Sequence, residues 1–113
     1  VGVVKITNSQ RKHLWTLSET AYERELSQAI GELHVRFQEW QEGNVSTWDL
    51  NQEIHEFHDG RSRDLYKFYV MAHDPLFRVV SALANNIIDI DEVPENCQTI
   101  LKHKMEIIKN EDI

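Results

Sequence analysis

Apolar residues recur at spacings of three and four through the first third of this chain. Leu14, Leu17 and Ala21 begin the row, and Tyr22, Leu26, Ala29 with Ile30, Leu33, Phe37 and Trp40 continue it. Residues so spaced share one face of an α-helix. Breakers are scarce, with 4 Gly and 2 Pro, and most of them punctuate the pattern. Gly43 opens the turn-like "GNVST", Pro75 should end or bend a helix, and Pro94 starts a new segment. Gly31 inside the first row weakens that helix slightly. The chain is therefore expected to be a single all-α domain. Helices are predicted over about 10–42, 47–73, 75–88 and 94–110, with an arm at 1–9.

Local signals refine these segments. Thr16 with Glu19 reads as a capping box, which would split the first helix into a lead-in and a longer piece. Ser46 or Thr47 caps the second helix, with Asp49 in its first turn, where the helix dipole favours an acid. The stripe of that helix is Leu50, Ile54, Phe57, Arg61, Leu65, Phe68 and Ala72, so Arg61 stands in an otherwise apolar register. Phe77, Val80, Leu83/Ala84 and Ile87/Ile88 mark one side of the third helix. Cys97, Ile100/Leu101, Met105 and Ile108 mark the core side of the fourth. Lys102, Lys104 and Lys109 sit toward its favourable C-terminal end, and the acids Asp89, Asp91, Glu92 and Glu95 read as its cap.

Length adds a constraint. A helix of roughly 25 to 30 residues is about 40 Å long, against a radius of gyration of about 13 Å for a compact domain of this size. Two long antiparallel helices and two short ones do not cover each other, so an elongated homodimer built on the long pair is expected. The alternative is a monomer whose first helix breaks near Thr16.

Charge excludes some functions. The net charge is -7, from 19 acids and 12 bases that are interleaved, so no basic patch exists to track phosphates and nucleic acid is not an expected partner. No apolar run is long enough to cross a membrane, and "VGVVKIT" is too short and weakly flanked for a signal peptide. The lone Cys97 fits a reducing, cytoplasmic setting. Cys97 is expected in the core, where a thiol is inert, and neither a nucleophile elbow nor a glycine-rich phosphate loop occurs. An enzyme is not expected.

The stretch "IHEFHDGRSRDLYKF" (54–68) concentrates the chemistry. His55, His58 and Asp59 lie near one face of a helix, which makes a metal or small-ligand site the alternative function. Against it, "HEFH" is one residue shorter than the zinc-protease His-Glu-x-x-His, and no Glu is followed three residues later by His, as di-iron bundles require. No metal and no cofactor are expected. Arg61 is open to two readings: an ion pair with Asp64, Asp59, Glu53 or an acid of an opposing helix that fixes register, or a cation presented to a partner. Gly60 suits both by allowing close backbone approach. Tyr66, Phe68 and Tyr69 follow, with Trp48 upstream, and Tyr and Arg dominate binding hot spots.

The run "AYEREL" (21–26), a polar turn and then "LNQEIHEFHDGRSRD" (50–64) resemble the fluorescence recovery protein family of small bacterial proteins. "IHEFH" stands where that family carries a Leu-His-Asp-Phe stretch, so His55 matches its histidine, Phe57 its aromatic, and Glu56 is similar to its aspartate. The family's tryptophan falls at Gln52, and its docking arginine near Ser62, between Arg61 and Arg63. The resemblance implies an all-helical dimer that docks on another protein, the orange carotenoid protein in that family, with no cofactor and no catalytic residue. The expected function is thus a non-catalytic, protein-binding regulator or adaptor, with His55, Glu56, Arg61, Arg63 and Tyr66 as its partner-binding residues.

Overall fold

A computed structural model describes residues 5–111, with side chains through Ile108. Val1 to Val4 of the expected arm and the Lys109 side chain lie outside the described residues. The described chain is all-helical, without strands, and holds four helices. Helix α1 is Asn8–Gln41. Helix α2 runs without interruption over 47–72, with ordinary α geometry at Thr47–Phe57 and Arg63–Tyr66 and wide π turns at His58–Ser62 and Lys67–Ala72. Helix α3 is Pro75–Ala84 and helix α4 is Glu95–Glu111, with a single 3-10 turn, Ile90–Glu92, between them. None of these helices is long and apolar enough to cross a membrane.

The N-terminus of α1 is made by Thr7. Its hydroxyl accepts from the Gln10 amide at 3.1 Å, and the Gln10 side chain accepts from the Thr7 amide at 2.9 Å. That reciprocal pair satisfies two orphan donors. No box forms at Thr16, whose hydroxyl donates back to the Lys12 carbonyl at 3.1 Å while the helix runs on. The first helix therefore runs unbroken, as the expected span of about 10–42 has it, without the break near Thr16 that the alternative requires, and the expected arm is already helical from Asn8.

The chain forms two compact units. The first comprises the chain up to Ala21 together with the chain from His73 onward. Its core is Leu14, Leu17 and Ala21 of α1, Val79, Val80 and Ala82 of α3, Ile88 and Val93 of the connection, and Cys97 and Leu101 of α4. Asp74 caps α3 by accepting from the Phe77 amide at 2.9 Å, with Pro75 preformed in the first turn. Helix α3 ends at Ala84, short of the expected Ile88, because Asn86 takes a left-handed backbone (φ 60). Glu92 caps the 3-10 turn, accepting from the Asp89 amide at 2.9 Å, rather than helix α4 as its position suggests. Gln10 ties α1 to α4 by donating to the Asn96 carbonyl at 2.7 Å.

The second unit, Tyr22–Ala72, is a helical hairpin. Gly43 (φ 83) terminates α1, and Ser46 starts α2 by accepting from the Asp49 amide at 3.0 Å. Trp40 Nε1 donates to the Thr47 hydroxyl at 3.0 Å across the turn. The two helices of the hairpin run antiparallel, as the pairs Arg36–Glu53 and Glu25–Tyr69 show. Its buried residues are few: Ala29, Val45, Leu50, Leu65 and Tyr69.

Candidate functional site

The site is built on the two π turns of α2. An α-helix closes each turn with a bond from residue i to i+4, whereas a π turn closes on i+5 and takes in an extra residue. The inward row of α2 consequently slips. After Phe57 it passes to Leu65 and then to Tyr69, which is 4% exposed, while Phe68 is half-buried and Ala72 exposed. Arg61, expected in the core register, is exposed. Gly60 beside it is part-buried, and an added Cβ there would meet nothing within 4 Å, so no close backbone approach is made there among the described residues.

Tyr69 anchors the hairpin. Its ring stacks on Tyr22, with centroids 5.2 Å apart and planes 9° from parallel, and meets Phe68 edge-on at 4.9 Å. Its hydroxyl donates to Glu25. Burial first, and then the Glu25 carboxylate, push the Tyr69 phenol well above its ordinary range, while the Arg61 charge pulls the other way. The stacking fixes Tyr22, which forms one wall of a hollow described next.

Two concavities flank the π turns. The first, of about 280 Å³, is lined mainly by Glu32, Arg36, Glu53, Glu56, Phe57 and Arg61. Its charges largely answer one another. Arg36 Nε donates to Glu53 Oε1 at 2.7 Å, and the same guanidinium pairs with Glu39. The bond to Glu53 leads the interactions that raise the Arg36 guanidinium above its usual value. Glu53 Oε2 is buried without a hydrogen-bond partner. The second hollow, of about 400 Å³, is lined by Tyr22, His58, Ser62, Arg63 and Tyr66. Every one of these side chains can donate a hydrogen bond and none is an acid.

The five residues singled out from the sequence are thus divided. Arg63 and Tyr66 line the second hollow, Glu56 and Arg61 line the first, and His55 is exposed and lines neither. His58 and Ser62, which the sequence reading leaves outside its docking set, join Arg63 and Tyr66. A π turn brings i+4 and i+5 to either side of residue i, so Ser62 and Arg63 both rise next to His58. Spacing by four residues already places His58, Ser62 and Tyr66 on one side of a regular helix, and it is Arg63 that such spacing leaves out. Among the described residues no group of three or more His, Cys, Asp or Glu could hold a metal ion, and His55, His58 and Asp59 form no such group.

A second anomaly lies in the other unit. Arg78 of α3 is 4% exposed, with Nε and Nη1 lacking hydrogen-bond partners, and its guanidinium carbon lies 5.2 Å from the centroid of the Trp15 ring. Cys97 is also enclosed there, its thiol donating to the Gln10 carbonyl at 3.7 Å, and burial raises its pKa away from the reactive thiolate. The chain matches no family model, no curated protein and no solved structure.

Proposed function

We propose that this protein is a non-catalytic, protein-binding regulator or adaptor that works as a helical homodimer and docks its partner through the π-turn region of α2. The observation that carries this reading is the uncovered apolar surface of the hairpin. On α1, Ile30 (50% exposed), Phe37 and Trp40 are open to solvent, and on α2 so are Trp48 (82%), Ile54, Val70 and Met71 (69%). Exposed apolar side chains that gather into a contiguous patch mark interaction surfaces, and those of the hairpin are proposed as such a surface. Ile30, Phe37 and Trp40 belong to the apolar row that begins at Leu14, and among the described residues these three are left exposed.

Two surfaces are needed by this reading, one for the second copy and one for the partner. The apolar rows serve the first. The mixed polar and aromatic face carrying Arg63 and Tyr66 serves the second, since Tyr and Arg supply large contact area with polar tips. The likeness of "IHEFHDGRSRD" to the fluorescence recovery protein family supports the same assignment. Affinity capture from the source cell's lysate, compared between the wild type and the variants Arg63→Glu and Tyr66→Ala, tests it. The expected outcome is a protein retained by the wild type and lost from both variants while their helicity is unchanged. Capture that is indifferent to both substitutions would place docking elsewhere.

A further inference from the structure

The hollow lined by Tyr22, His58, Ser62, Arg63 and Tyr66 has a chemistry that docking in general does not require. The chain carries 19 acids against 12 bases, yet all five lining side chains are donors, one of them is a permanent cation and none is an anion. Asp59 and Asp64 adjoin this segment in sequence but line no part of the hollow. Arg63 has no ion pair among the described residues. Two phenol rings form the walls. Tyr22 is held by its stack on Tyr69, and Tyr66 stands half exposed at 48%.

We infer that this hollow is an oxyanion-binding site, taking a carboxylate or phosphate group attached to a planar or apolar body. Arg63 would face the anion with its planar fork, Ser62 and the tyrosine hydroxyls would complete the donor set, and the rings of Tyr22 and Tyr66 would flank the body. The volume of about 400 Å³ suits a group of that size rather than a bare ion. The π turn at His58–Ser62 lies beneath the hollow, whose lining includes His58, Ser62 and Arg63. As the contact point for an acidic side chain of the docked partner, the inference rests on the function proposed above. As a site for a free small anion it stands alone.

The test is a titration of the full chain with benzoate, phenyl phosphate and the neutral benzamide, following the ring resonances of Tyr22, His58 and Tyr66 by NMR. Saturable shifts with benzoate or phenyl phosphate, absent with benzamide, are expected, and Arg63→Gln should weaken the binding about tenfold, as loss of a charge-assisted hydrogen bond does. Tighter binding of benzoate assigns the site to carboxylates, and tighter binding of phenyl phosphate assigns it to phosphate esters. Equal shifts with benzamide, no saturation with either anion, or unchanged affinity in Arg63→Gln would overturn the inference. Lysate capture with Arg63→Gln separates the two proposals. Anion binding with capture unaffected removes the docking role and keeps the hollow. Capture lost without any anion binding removes the hollow and keeps the docking role.

Discussion

Arg78 is a charge that the fold encloses but does not answer. A guanidinium taken out of water needs partners for all its donors, and here Nε and Nη1 have none, while the Trp15 ring lies against the guanidinium. An apolar side chain of similar length should therefore serve better. Arg78→Met keeps the stem and a sulfur near the ring, and it is expected to raise the free energy of unfolding by about 1 kcal/mol or more, read from urea midpoints at constant slope. A loss of more than about 2 kcal/mol would mean that the guanidinium is paired in solution. The signal for this residue is in the sequence, since Pro75, Arg78, Val79 and Ala82, four of the five buried positions of α3 beside Val80, follow helical spacing. It is hard to see because nearly all of "PLFRVVSALA" is apolar, so no face stands out, and an arginine is ordinarily assigned to the outside. Arg61 is the converse case, an arginine that a regular helix would bury and that stands exposed within the π turn.

At the scale of the elements, the helices and their order follow from breakers and apolar periodicity, and the ends of α1 and α2 follow from Gly43 and Ser46. The π turns do not follow. They depend on which of several similar registers packs best against the facing helix, and Leu65 with Tyr69 wins over Phe68 with Ala72. The stack of Tyr69 on Tyr22 and its bond to Glu25 are contacts 44 residues or more apart in sequence, beyond any local pattern. Gly60 offers a check on the first wide turn. Its backbone is not left-handed and an added Cβ would meet open space, so Gly60→Ala should stabilise the chain by about 0.5–1 kcal/mol, the ordinary gain for this change within a helix. Thermal unfolding followed by circular dichroism measures it. A loss of stability would show that the π turn at His58–Ser62 depends on glycine.

For the whole molecule, the decisive fact is the hairpin's shortage of cover. Its own packing buries a handful of side chains and leaves Ile30, Trp48, Val70 and Met71 at half exposure or close to it and beyond. Covering such residues contributes about 25 cal/mol for each Å² removed from water, and in the proposed homodimer a second copy of the same hairpin would supply that cover. The docking face and the anion hollow are proposed on the same hairpin, so its state of association governs how both are presented. Sedimentation equilibrium over a range of protein concentrations measures that state directly. A species of twice the chain mass that persists to about 1 μM is expected, as for a dimer held by about 8 kcal/mol. A single-chain mass at every concentration, with the apolar rows still exposed, would contradict it.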